Sequence, residues 1–143
     1  MKRCLGCSDE NDALTDLTNR DVMEANGWTL EDFTDVGHGY RNDNCGTDTF
    51  WGWGSSNIKG TAKAILKGSG TAKLDFGNCY SRDNVNVYLN DILLETATSF
   101  TSLSVTFAYS DGDVLTINEG NAIMQLHSLE FLCGKNKLFS DLK

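Results

Sequence analysis

The sequence predicts an all-β protein, a β-sandwich or jelly roll with one short helix near its start, and three observations predict it. Apolar and polar residues alternate with period two through most of residues 58–132. Clusters of Gly, Asn, Asp and Ser separate the alternating runs at short intervals. No helical periodicity interrupts the pattern after residue 26. The 143 residues fit one domain, large enough to bury a core without covalent staples. We therefore read 1–143 as a single sandwich domain, with 1–25 a polar N-terminal segment and 58–132 its best-defined strands.

The elements follow in order. Asp9, Glu10, Asp12 and Asp16 make the first segment acidic, and Leu14, Leu17 and Val22 recur at loose helical spacing. That spacing predicts a short helix within Asp12–Ala25, ended by the turn pair Asn26-Gly27. A strand is expected around Trp28–Phe33, with Trp28 in the core. Residues 34–57 hold so many Gly, Asn and His that they read as loop, interrupted by Phe50-Trp51-Gly52-Trp53-Gly54. Ile58–Lys67 has one face of Ile58, Gly60, Ala62, Ala64 and Leu66 and an opposite face of Lys59, Thr61, Lys63, Ile65 and Lys67. The first face is small, so something bulky should cover it, for example a tryptophan. Gly68-Ser69-Gly70 turns the chain, and Ala72, Leu74 and Phe76 alternate with Lys73 and Asp75. Val85, Val87 and Leu89 form the next apolar row. Asn90-Asp91 fits a two-residue hairpin turn before a return strand at Ile92–Thr96. Leu103, Val105 and Phe107 follow, then the turn Ser110–Asp113, then Val114–Asn118. Glu119-Gly120-Asn121 leads into a last strand, Ala122–Leu132, apolar on both faces and so expected in the middle of a sheet. The total is seven or eight strands.

Composition narrows the function. Twelve basic residues against 20 acidic ones give a net charge of −8, which repels phosphate backbones and argues against a nucleic-acid partner. No run of about 18 apolar residues exists, so no membrane-spanning helix is expected. The cysteines Cys4, Cys7, Cys45, Cys79 and Cys133 are odd in number. Cys4 and Cys7 have knuckle spacing but lack the second pair that a zinc site needs. A disulfide such as Cys45–Cys79 is one arrangement, and the pairing stays open. Residues 1–12 begin basic but have no apolar stretch, which does not read as a secretory leader. That leaves a chain that stays inside the cell or a module of a longer one.

Catalytic signatures are missing: no G-x-S-x-G, no H-E-x-x-H and no phosphate loop. His127, in the last strand, reads as a hydrogen-bonded structural residue, and the chain is expected not to be an enzyme. The richest segment is Gly37–Asn57. Flat aromatic faces take up the C–H side of a pyranose, and amides, carboxylates and guanidinium groups bond its hydroxyls. Trp51, Trp53 and Tyr40 are thus candidate stacking residues. His38, Arg41, Asn42, Asp43, Asn44 and, from the next polar loop, Arg82 are candidate hydrogen-bonding residues. Trp51 and Trp53 are two apart and share a face if the segment is extended. The alternative is that at least one of the pair is core. Asn78–Asn84 and Asn118, Glu119 and Asn121 read otherwise as turn chemistry. Asp111 and Asp113, or Asp9, Glu10 and Asp12, suggest a structural calcium ion, although the D-x-D-x-D-G spacing is absent. No cofactor is required for binding.

The run Gly70-Thr-Ala-Lys-Leu-Asp-Phe-Gly-Asn, Val85-Asn-Val-Tyr-Leu-Asn with its hairpin, Ser104-Val-Thr-Phe, Gly112-Asp-Val-Leu-Thr-Ile and Ile123–Phe131 resembles the galactose-binding-like β-sandwich. Carbohydrate-binding modules and discoidin-type domains use that fold. The resemblance covers residues 58–132 and rests on pattern, without a diagnostic motif. It implies a ligand-binding loop region with aromatics at one end of the sandwich and a structural calcium between the chain ends. The expectation is a non-catalytic, extracellular carbohydrate-binding module, with neighbouring domains in a larger chain. The alternative is a structural or assembly domain of a surface, viral or filament protein without a small ligand. Buried indoles at Trp51 and Trp53 favour assembly; indoles lining a groove favour sugar.

Overall fold

The computed structural model describes residues 10–38, 50–54, 59–80, 83–119 and 122–132. After a 3-10 turn at Asp12–Thr15 and a short helix α1 (Arg20–Ala25), ten strands follow: β1 (Thr29–Glu31), β2 (Asp35–His38), β3 (Phe50–Trp53), β4 (Thr61–Ile65), β5 (Gly70–Asn78), β6 (Val85–Leu89), β7 (Ile92–Ala97), β8 (Thr101–Tyr109), β9 (Val114–Glu119) and β10 (Met124–Phe131). They form two five-stranded sheets. Sheet I has the order β1-β4-β9-β6-β7 and sheet II the order β2-β3-β10-β5-β8. Every pairing among these strands is antiparallel. The protein is a β-sandwich, as the alternation predicts.

The core lies between the sheets. Ala62, Ala64, Val85, Val87, Leu115 and Ile117 face it from sheet I; Phe50, Ala72, Leu74, Phe76, Met124 and Leu126 face it from sheet II. Lys59, Lys63, Ile65 and Lys67 are exposed, so the period-two reading of this strand holds along its described length. β10 occupies the middle of its sheet. It is not apolar on both faces, however. A bulge between Leu126 and Ser128 shifts its register, so Leu126 and Leu129 both turn inward while His127, Ser128 and Glu130 look out.

Two strands lie where the sequence reads as loop. β2 and β3 form a hairpin within residues 34–57, pairing Asp35 with Trp53 and His38 with Phe50. Gly37 is required here by close approach. A Cβ on it would stand 2.5 Å from Cζ2 of Trp51, whose indole lies flat across the glycine. At the Gly60 end of the small face of β4 the cover is Phe33, wedged between Gly60 and Gly52, where added Cβ atoms would fall 2.3 and 2.7 Å from its ring. Trp28 shares the buried core cluster with Ala62, Ala64 and Leu66.

The described part of the polar N-terminal segment, residues 10–25, is docked on the sandwich. Leu14, Leu17 and Met23 enter the core. Trp28, buried as expected, donates its indole N–H to the Leu14 carbonyl at 3.0 Å. Asn11, 1% exposed, mimics a strand partner for Lys67. Its Nδ2 donates to the Lys67 carbonyl (2.8 Å), and its Oδ1 accepts the Lys67 N–H (2.9 Å). The Asn19 side chain caps α1 by accepting from the Val22 N–H at 2.9 Å.

Candidate ligand-binding site

One end of sheet II carries Trp51, Trp53 and Tyr80. The hydrogen-bonded ladder puts Val36, Gly52, Met124, Asn78 and Thr101 in one row across all five strands. Just past this row come Asp35, Trp53, Ile123, Cys79 and Phe100. Trp51, Cys79 and Ile123 form a second, smaller apolar cluster on the outer face, with Trp53 and Tyr80 packed against it. Trp51 is 9% exposed. It is therefore packing: it lies on Gly37 and backs the cluster, and the exposed ring surface falls to Trp53 and Tyr80, both half-buried. The core alternative thus holds for Trp51, although its support is Gly37 rather than the face of β4. Asp35, which the sequence reading passes over, is exposed and paired directly with Trp53 on the edge strand. Directly paired residues share a face with Cβ atoms about 5 Å apart, so a carboxylate flanks the indole.

This end is fastened from inside by Glu119. The carboxylate is fully buried. Its Oε2 accepts the N–H of Gly54, immediately after Trp53, and that of Gly60 at 2.8 Å; its Oε1 accepts the Ala122 N–H at 2.9 Å. One side chain thereby ties the end of β3, the approach to β4 and the approach to β10. Asn78, 1% exposed, does similar work nearby: Nδ2 donates to the Asp83 carbonyl at 2.7 Å, and Oδ1 accepts the Tyr80 N–H at 3.0 Å. The turn-chemistry reading is right for Asn78. For Glu119 it misses a buried acid, because nothing in Asn118-Glu119-Gly120 separates an exposed turn acid from an internal one.

Not all expected site residues are brought together. Tyr40, Arg41, Asn42, Asp43, Asn44 and Arg82 lie outside the described residues. His38 belongs to β2, with its side chain outside them too. Its partner is Phe50, so it sits at the end of the hairpin away from Trp53. Of the residues named for calcium, Asp113 accepts from Asn90 Nδ2 (2.9 Å) and the Ser110 N–H (2.8 Å), and Asp111 accepts the Gly68 N–H (2.8 Å). These are cross-turn bonds. Among the described residues no three His, Cys, Asp or Glu side chains converge in a metal-binding group.

Farther along, the outer face of sheet II carries a hydrogen-bonded polar group. Asp75 accepts from Ser104 and from Ser128 (2.9 Å). The Ser104 hydrogen bond is the main cause that holds its carboxyl below the usual value, against desolvation. His127 Nε2 lies 3.3 Å from Ser102 Oγ. Burial pushes its pKa down, and the negative Asp75 offsets part of that. His127 also borders a recess of about 270 Å³ with Asp16, Thr18 and Ser128. Ser102, His127 and Asp75 are neighbours, yet both Asp75 oxygens serve serines and the charge acts on the imidazole only at a distance. Sheet I carries a shallow groove of about 390 Å³ on its outer face, lined by Thr61, Lys63, Tyr88, Asp91, Thr116 and Asn118.

No protein-family model matches the chain, and no curated protein matches it. Solved structures do. VesC, a secreted serine protease from Vibrio cholerae, aligns with a TM-score of 0.50 at 12% identity over 69% of this chain, which spans 24% of the protease's length. The CBM22-2 xylan-binding domain of Xyn10C from Paenibacillus barcinonensis aligns with a TM-score of 0.49 at 7% identity, covering 75% of this chain and 91% of that one. A family 35 carbohydrate-binding module from Clostridium thermocellum gives 0.49 at 10% identity, with 74% and 92% covered. At 12% identity the likeness to the protease concerns the fold alone, and that fold is the β-sandwich the two sheets define. Among the described residues no helix is long and apolar enough to cross a membrane.

Proposed function

We propose that the chain is a non-catalytic binding module that holds carbohydrate at the Trp53 end of sheet II. One observation carries this reading: a half-exposed indole, Trp53, is backed by the packed Trp51 and flanked by the exposed carboxylate of Asp35. The ring supplies a flat apolar face for a pyranose and the carboxylate an acceptor for its hydroxyls. Tyr80 adds a second ring, and Arg82, two positions on, a donor. Tyr40 as a stacking residue and Arg41, Asn42, Asp43 and Asn44 as hydrogen-bonding residues remain part of the proposal. His38 is not among these contacts, because it pairs with Phe50 at the far end of the hairpin. Such a site binds at sub-millimolar affinity, about 4–6 kcal/mol. No cofactor is needed. Thermal unfolding with added and chelated calcium measures what a structural calcium ion contributes.

An extracellular setting belongs to the same reading. So does a disulfide at Cys79, beneath the aromatic cluster, which suits an oxidising compartment. Mass spectrometry after alkylation, with and without prior reduction, reads it. The burial of Trp51 favours the second reading, a structural or assembly domain, to the extent that this indole is packing. A glycan array run with and without calcium, followed by calorimetry on Trp53→Ala, separates the two. Carbohydrate binding predicts array hits that Trp53→Ala abolishes while the fold survives. A blank array, or binding that ignores Trp53→Ala, contradicts it.

A further inference from the structure

Phe100 stands on the turn between β7 and β8, and two features mark it. The residue is 53% exposed. Its backbone has φ of +54°, in the left-handed region that a bulky side chain rarely adopts. Glycine or asparagine would meet that backbone demand more easily. The turn is also firmly held: the Thr101 N–H bonds the Thr98 carbonyl (3.2 Å), and Thr101 Oγ1 donates to the Ser99 carbonyl (3.0 Å). The Phe100 N–H donates to the carbonyl of Tyr80 at 3.3 Å, joining this turn to the loop that carries the second ring of the site. A large apolar side chain is thus kept in water, on a strained backbone, by a rigid support. Strain of this kind collects at ligand contacts.

Its place in the fold gives the ring a use. Asn78 pairs with Thr101, so Phe100 lies one residue past the sheet, at the same end as Trp53. The strand order β3-β10-β5-β8 separates the two positions by three strand spacings, about 14 Å at ~4.8 Å each. Tyr80, two residues beyond the end of β5, comes between them. We propose that Phe100 is a further aromatic subsite, and that the ligand is a linear oligosaccharide of several units laid across this end of sheet II rather than a single sugar. The proposal rests on the reading of the Trp53 end as a carbohydrate site and specifies its ligand class.

The test is calorimetry with β-1,4-linked glucose, xylose and galactose oligosaccharides of increasing length, on the wild type, Phe100→Gly, Phe100→Tyr and Trp53→Ala. The wild type should gain affinity with length through at least three units. Phe100→Gly should leave the shortest sugars unaffected and weaken the longest by about tenfold. Its melting temperature should hold or rise, since glycine relieves the backbone. Phe100→Tyr should keep the gain with length, and Trp53→Ala should lose binding at every length. A full length gain in Phe100→Gly overturns the proposal and leaves the Trp53 site standing. So does a drop in its melting temperature with loss of a dimer on size exclusion, which would make the ring a contact between copies. Absence of binding at every length in the wild type overturns the carbohydrate reading and this proposal with it.

Discussion

The two ends of the sandwich solve the same problem, turning strands around, in different ways. At one end lie the turns after β4, β6 and β8. Their left-handed positions fall on Gly68, Asn90, Asp91 and Gly112, three of the residue types that tolerate them best. Their polar side chains bond one another and the backbone: Asn90 to Asp113, Asn90 Oδ1 to the Val114 N–H, Asp111 to Gly68, and Asn11 to Lys67. At the other end a left-handed position falls on an exposed phenylalanine, aromatic rings stay partly open, and the anchor is a buried carboxylate. The first end is arranged for closure. The second holds groups in positions that closure alone does not require.

The largest effect should come from the anchor. Glu119→Ala leaves three buried N–H groups without their acceptor, and we expect a loss of about 3–5 kcal/mol in urea unfolding. A loss no greater than that of a turn-end variant would remove the distinction between the ends. Gly37→Ala comes next. The new methyl drives into Trp51, costing about 1–3 kcal/mol, and it should change the near-ultraviolet dichroism of the aromatic cluster and lower sugar affinity. An unmoved spectrum would mean that Trp51 does not set the site. Asn90→Ala places a Cβ-branch-free but non-glycine residue at φ of +52°. It should cost about 1 kcal/mol and leave ligand binding intact.

The smallest effect concerns pH. Burial holds His127 below its ordinary value of 6.5. The unfolded chain therefore takes up the proton more readily, so the contribution is complete above pH 6.5 and fades as pH falls below it. His127→Gln should flatten that decline in melting temperature. An identical pH profile in wild type and variant would place the acid sensitivity elsewhere.

Much of the sandwich was legible because one face of each strand is buried, which makes period two a direct record of burial. The turns after β4, β6 and β8 were legible for the same local reason, glycine and Asn-Asp pairs. β2 was not, because Asp35-Val36-Gly37-His38 has no alternation of its own; its pairing is decided by Trp51, distant in sequence, lying over Gly37. Phe33 as the wedge was hidden likewise, since only the meeting of Gly52 and Gly60 in space gives it a slot. At the site, Trp51 and Trp53 look alike in sequence, and the edge strand alone makes one backing and the other surface. Asp35, Glu119 and Phe100 carry no motif. A positive φ and a buried carboxylate are properties of tertiary contact.

The most direct test is an amide and indole NMR titration of the labelled protein with the tightest-binding oligosaccharide from the length series. Shifts confined to Asp35, Trp53, Tyr80, Phe100 and their neighbours, including the Trp53 indole N–H, with the turns at Gly68, Asn90 and Gly112 unmoved, are the predicted result. Shifts centred on Lys63, Tyr88 and Thr116 of sheet I, or on the turn end, would contradict it.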